Sequence, residues 1–112
     1  MQTGYLEPKF EGVKSYYKKA RVYTIFGSIY LKSYDETVCT IRYKTDEYGR
    51  PLVDESTGQL IKEIEINWCY SKTTNRHIKE FLKQYFDNPY IKIERIKKGT
   101  YKYIDGELLS DE

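Results

Sequence analysis

The sequence predicts an α+β fold, a small antiparallel β-sheet with one amphipathic α-helix packed on one face. Three observations carry this expectation. Residues 21–66 hold repeated runs of β-branched and aromatic residues with period-two alternation. Further along, Ile78, Phe81, Leu82 and Tyr85 recur at i, i+3, i+4 and i+7, which is one helical face. And 112 residues suffice for one hydrophobic core rather than two. The hydrophobic share is low at 39% and the charged share high at 32%, but 13 tyrosines lift the aromatic share to 16%, which argues against wholesale disorder.

The elements follow in order. Residues 1–20, with Gly4, Pro8 and Gly12 and no clear period, read as a partly ordered N-terminal arm before a single domain at 21–104. Arg21–Phe26 reads as a strand, interrupted at Gly27-Ser28 and resumed over Ile29–Tyr34, with a turn at Asp35-Glu36. Thr37–Lys44 alternates cleanly. Cys39, Ile41 and Tyr43 form its better core face, opposite Val38, Thr40 and Arg42.

Residues 46–59 contain Gly49, Pro51 and Gly58 among four acids and read as a long acidic hairpin loop. Leu60–Tyr70 alternates most strongly, with Ile64, Ile66, Trp68 and Tyr70 facing the core and Glu63, Glu65 and Asn67 facing away. Ser71–Thr74 supplies capping side chains for the helix, which Asp87-Asn88-Pro89 ends.

The stretch 90–99 fits either class. Asn88, Pro89 and Gly99 favour a helix, while the Ile91/Ile93 alternation favours a strand, and the isoleucine spacing tips the balance to strand. Thr100–Ile104 would then pair back onto it, and residues 105–112 form a frayed acidic tail.

Charge is uneven although the net is only +2. Residues 1–45 carry +4, 46–66 carry −4, 67–104 carry +6 and the last eight −4. Lys72, Arg76, Lys79 and Lys83 share a stripe opposite the apolar face of the helix, a pattern that suits phosphate contact or an ordinary solvated surface. The tyrosines suit base stacking or protein interfaces equally well. The pI is only 8.4 and the acidic segments dilute a positive field, which weighs against a nucleic-acid partner.

Catalytic and metal chemistry is poorly served. His77 is the one histidine, and no Cys-x-x-Cys or phosphate-loop glycine pattern occurs, so no catalytic residue, metal or cofactor is expected. A Cys69–His77 dyad lacks a third, orienting group. Glu63 and Glu65 share a strand face, as glycosidase carboxylates could, but a solvated face explains them more simply. Cys39 and Cys69 both lie in apolar or aromatic runs and read as buried free thiols, with a cross-strand disulfide geometrically open. Residues 1–8 have neither a basic nor an apolar leader region, and no apolar run approaches the roughly 18 residues of a spanning helix. The expectation is a cytoplasmic protein with no membrane partner.

One stretch resembles a known group. Ser33-Tyr34 before Thr37-Val38-Cys39, followed by Trp68-Cys69-Tyr70-Ser71-Lys72-Thr73-Thr74-Asn75-Arg76-His77 and Phe81-Leu82, is similar to small uncharacterised proteins of tailed bacteriophages and prophages. Their pattern runs Ser-Tyr-x-x-x-Val and then Tyr-Ser-x-Thr-Thr-x-x-His-x-x-x-Phe-Leu. The likeness spans residues 33–83 and implies a phage or mobile-element origin, with no activity attached.

It makes a non-enzymatic interaction protein the first functional expectation. The partner would be a host protein, for instance a component of a host defence system blocked as anti-CRISPR proteins block theirs. A nucleic-acid-binding accessory protein is the alternative. Either partner, or a phosphate, would be met by Lys72, Arg76, Lys79, Lys83, Tyr70, Thr73 and Thr74. The motif also has a structural reading. Ser71, Thr73 and Thr74 would cap the helix, His77 would bond the loop preceding it, and Phe81 and Leu82 would dock it on the sheet. A helix N-terminus is in either case a place where anions settle.

Overall fold

The computed structural model describes residues 2–10, 12, 14–16, 18–67, 71–88, 90–91, 97–104 and 107–110. Seven strands form one antiparallel sheet in strict chain order: β1 (Gln2–Tyr5), β2 (Ala20–Ile25), β3 (Ser28–Ser33), β4 (Glu36–Tyr43), β5 (Lys62–Ile66), β6 (Gly99–Ile104) and β7 (Glu107–Ser110). The helix α1 (Lys72–Tyr85) lies in the β5–β6 connection and packs on β3 and β4. The α+β expectation holds in outline, with the sheet as the larger part.

Alternation fixes the core. Register aligns Ile29, Ile41, Ile64 and Tyr101 in one cross-strand row, and Val22, Leu31, Cys39 and Ile66 in the next. Ile78, Phe81 and Leu82 of α1 close over these rows and are wholly buried. Strand β4 carries a bulge, because Leu31 pairs with Cys39 but Lys32 pairs with Thr37. Val38 is the extra residue, and it is buried beside Cys39 rather than turned away as strict alternation implies. Tyr43, expected on the core face, is 43% exposed at the strand's end.

The two hairpin turns sit one residue earlier than the sequence suggests. Ile25 pairs with Ser28 across Phe26-Gly27, and Ser33 pairs with Glu36 across Tyr34-Asp35. All four turn residues have positive φ, between 49° and 82°, which is the two-residue turn whose twist matches its strands. Gly27 meets that demand without strain. Phe26 and Tyr34 do not, whereas Asp35 is of a type that tolerates it.

Both termini differ from expectation. Residues 1–20 read as an arm, yet Gln2–Tyr5 is a strand on β2, and Leu6 and Tyr16 enter the core at 2% and 6% exposure. The excursion between them is tied down by named bonds. Leu6 N–H donates to the Ala20 carbonyl (2.8 Å), Phe10 N–H to Glu80 (2.8 Å), and the Gln84 amide to the Glu7 carbonyl (2.7 Å). An edge strand of four residues is too short to show a period, so the sequence carried no signal for it. The acidic tail likewise contains β7, which pairs with β6. Strand β6 is where Thr100–Ile104 was expected, but its partners are β5 and β7 rather than the segment before it. The strand-or-helix choice for 90–99 falls largely on residues 92–96, outside the described residues, as do Trp68, Cys69 and Tyr70.

The acidic connection between β4 and β5 has internal order. Lys44, Leu52 and Ile61 exchange backbone hydrogen bonds at 2.8–3.0 Å, and bridges join Thr45 to Pro51 and Val53 to Leu60. Its acids build its turns. Asp46 accepts from the Tyr48 and Arg50 N–H groups, and Asp54 from the Ser56 N–H and hydroxyl. The Ser56 bonds hold the Asp54 carboxyl below its ordinary range.

Candidate functional site

Helix α1 begins at Ser71, whose hydroxyl accepts from the Thr74 N–H at 3.1 Å. This is the N-cap the sequence proposes. Thr74 itself is buried, at 4% exposure, so it belongs to the packing and cannot offer its side chain to a ligand. Thr73 and Arg76 turn the other way.

His77 is 1% exposed, and its Nδ1 lies 2.8 Å from the Ser33 hydroxyl on β3; residues 68–70 of the loop it was expected to bond lie outside the described residues. The Tyr16 ring meets it edge-on with centroids 4.5 Å apart, and the Tyr34 ring stacks at 6.1 Å. The imidazole therefore joins three elements: α1, the β3–β4 corner and the N-terminal excursion. One turn on, Glu80 ties α1 to the N-terminal excursion. At 2% exposure, its two oxygens accept from Phe10 N–H and from the Gln84 side chain at 2.7 Å. Nothing in the sequence marks Glu80 as buried, because the residue it serves lies 70 positions away.

These contacts hold a hollow open at the N-terminal end of α1. Its volume is about 280 Å³. Lys14, Ser15 and Lys19 line it from the excursion, Thr73, Arg76 and His77 from the helix, and Tyr16 and Tyr34 complete the wall. No acidic residue is among the described lining residues, although Glu7 lies near enough to accept from Ser15 at 3.1 Å. A second hollow on the same side is lined by Arg76, Lys79, Glu80 and Lys83. Arg76 is shared, so the two hollows form one surface carrying five cations. Of the expected site residues, the structure thus brings together Thr73, Arg76, Lys79 and Lys83. Lys72 is exposed but lines neither hollow, Thr74 is in the core, and Tyr70 lies outside the described residues. Lys14 and Lys19 are the additions that sequence reasoning missed. Their only signal was a basic excess in residues 1–45.

The acidic connection sits away from this surface. The hollow with His77 adjoins the β3–β4 turn, whereas the connection leaves the far end of β4, eight residues and roughly 25 Å along the strand.

The other chemical options fare as follows. Glu63 and Glu65 are clamped by one guanidinium: Arg42 Nε donates to Glu63 and Nη1 to Glu65, both at 2.8 Å. Partial burial disfavours the Arg42 charge, but the bonds to Glu65 and Glu63 outweigh that and raise its pKa. Two carboxylates so engaged are structural partners rather than an acid and a nucleophile. Cys39 is a free thiol, fully buried, and burial pushes its pKa far above the ordinary thiol range, the reverse of what a nucleophile needs. Among the described residues, no group of three His, Cys, Asp or Glu side chains converges as metal ligands would, and no helix is long and apolar enough to cross a membrane.

No curated protein and no solved structure matches the chain. Residues 5–98, which include the strand-to-helix motif and both hollows, match the model of a family of unknown function, DUF8033, and the chain belongs to that family.

Proposed function

We propose that the protein is a non-enzymatic binding domain whose partner is nucleic acid, held by its phosphates along the outer side of α1. One observation carries this reading: two adjoining hollows share Arg76 and gather Lys14, Lys19, Arg76, Lys79 and Lys83, while the acidic connection leaves the opposite end of β4. Clustered cations supply the sequence-independent part of nucleic-acid affinity through counterion release. The connection between β4 and β5, at the far end of the strand, dilutes this field less than an adjoining acidic segment would.

The test is a salt titration of affinity for a single-stranded oligonucleotide. Each phosphate contact contributes about −0.7 to the log–log slope. The paired substitution Arg76→Gln and Lys79→Gln should flatten the slope by about 1.4 units at unchanged Tm. Binding that is already lost at ~150 mM salt, or a slope indifferent to these residues, ends the nucleic-acid reading.

A host-protein partner is the second reading. The phage resemblance supports it, as does Phe26, which stands fully exposed at the tip of the β2–β3 hairpin in a left-handed conformation. Exposed aromatics of this kind act as anchors in protein interfaces. Blocking a host defence system, as anti-CRISPR proteins do, is the form this reading takes in a protein of phage origin. Both readings place the protein's action in the cytoplasm of a host cell.

A further inference from the structure

The side of the sheet turned away from α1 carries two cross-strand rows built from tyrosine, threonine and cations. Thr3, Tyr23, Tyr30 and Thr40 pair in succession across β1 to β4, and Tyr5, Arg21, Lys32 and Thr37 form the neighbouring row. Tyr23 and Tyr30 stand directly opposite one another and are half-buried, and Tyr5 is 52% exposed. Tyr5 and Tyr23 are diagonal neighbours on adjacent strands, roughly 7–8 Å apart. Two lysines show how the rings are presented. Lys32 Nζ lies over the Tyr23 ring, 5.6 Å from its centroid, and Lys18 Nζ lies over the Tyr5 ring at 5.8 Å. A ring face that an ammonium group reaches from solvent is a face on which a planar group can stack.

The charge and chemistry of this side select its occupant. Glu63 and Glu65 are clamped by Arg42, and Asp35 is held by Arg21 at 2.7 Å, so these three carboxylates each have a guanidinium partner and it is lysines that meet the rings. Neither row contains an aliphatic side chain, whereas the desolvated centre of a protein interface is the more apolar part of it. Aromatic faces interleaved with cations are what the unpaired bases and the phosphates of a single strand require. The open side is also continuous with the basic surface beside α1. Lys18 and Lys19 are consecutive where the N-terminal excursion enters β2. Lys18 reaches Tyr5 on the open side, and Lys19 lines the hollow with His77. A strand laid over this corner meets both surfaces.

We infer that the open side of the sheet is a stacking surface for single-stranded nucleic acid, its bases lying on Tyr5, Tyr23 and Tyr30 while Lys18 and Lys32 swing from the rings to the phosphates. This inference extends the nucleic-acid reading to a second surface and rests on it. It also names the form of the partner. The bases of a duplex are already stacked and paired, so only an unpaired strand can offer them to the rings.

The experiment measures binding of a labelled oligodeoxythymidine, alone and annealed to its complement, by fluorescence anisotropy. Wild type should bind the single strand about tenfold more tightly than the duplex at fixed salt, the scale of one stacked base. Tyr23→Leu/Tyr30→Leu should erase that preference by weakening the single strand alone, with the salt slope unchanged because stacking releases no counterions. Tyr23→Phe/Tyr30→Phe keeps the ring faces and should bind as wild type. Tyr5→Ala, on an exposed edge residue, should weaken the single strand several-fold, and circular dichroism verifies that each variant folds. Lys32→Gln should flatten the single-strand slope by about 0.7. Leu variants that bind the single strand as wild type does overturn the stacking surface, leave the nucleic-acid reading to α1 and return the tyrosines to a protein partner. Phe variants as weak as the Leu variants place the contact on the hydroxyls and also overturn stacking, as does equal affinity of wild type for the two forms. Failure of wild type to bind either form removes the two readings together.

Discussion

On the helix side of the sheet, Leu31, Cys39, Ile64 and Ile66 are almost wholly removed from water, and the polar groups that enter, His77, Ser33 and Glu80, are each matched to a partner. On the other side, Arg42, Glu63 and Glu65 settle their charges against one another in half-exposed positions, and Tyr23 faces Tyr30 across the strands. The difference teaches where stability and recognition reside. The covered side holds the fold together through apolar area, which is worth roughly 25 cal/mol per Å². The open side contributes less, and substitutions there should be correspondingly mild.

The largest effect should come from emptying the covered side. Phe81→Ala removes the largest of the fully buried side chains and should cost roughly 3–5 kcal/mol. A drop in Tm of more than about 10 °C should result. A drop of only a few degrees would mean that α1 is not docked as described. Glu80→Ala comes next, at about 1–3 kcal/mol, because it leaves the Phe10 N–H and the Gln84 amide without this acceptor. Its signature is local as well as global. Proteolytic cleavage within residues 7–19 should accelerate more than unfolding alone explains. If cleavage there merely tracks global unfolding, Glu80 does not fasten the excursion.

Arg42→Ala tests the open side and should cost only about 1 kcal/mol, since its ion pairs are partly exposed and screened. The cost should shrink in 1 M salt, where unscreened repulsion between Glu63 and Glu65 fades. A loss as large as that of Phe81→Ala would show that the two sides do not differ as argued.

How much of this was legible in sequence follows the range of the interactions. Strands β2 to β5 and helix α1 announce themselves because their periodicities are local and long enough to repeat. Strands β1 and β7 do not, since four residues on a sheet edge show no period. The pairing of β6 with β5 spans the whole helical connection, and local pattern carries no information about it. The site divides in the same way. Thr73, Arg76, Lys79 and Lys83 share one helix and were readable as a stripe, whereas Lys14, Lys19 and the Ser33–His77 bond come from segments 40–60 residues distant in the chain. Tyrosine count and net charge described the composition of a surface but not which residues would meet on it.

The smallest predicted effect has the opposite sign and concerns a residue outside both faces. Phe26 occupies the first of the two turn positions between β2 and β3 at φ 49°, and its side chain is fully exposed, so it gains nothing from burial to offset the left-handed backbone. Asn-Gly is the sequence this turn favours, because asparagine tolerates positive φ. Phe26→Asn should therefore stabilise the protein by about 0.5–1 kcal/mol and raise Tm by about 2–5 °C. A fall in Tm would mean that the ring packs against something and that its exposure is not genuine. A rise carries a further consequence. A strained, solvent-exposed phenylalanine that lowers stability is a candidate anchor for a partner outside the chain. If the host-protein reading holds, the stabilised variant should lose its partner while binding oligonucleotides as wild type does. Retention of both activities would leave Phe26 without a role in recognition and return the whole functional argument to the basic surface of α1.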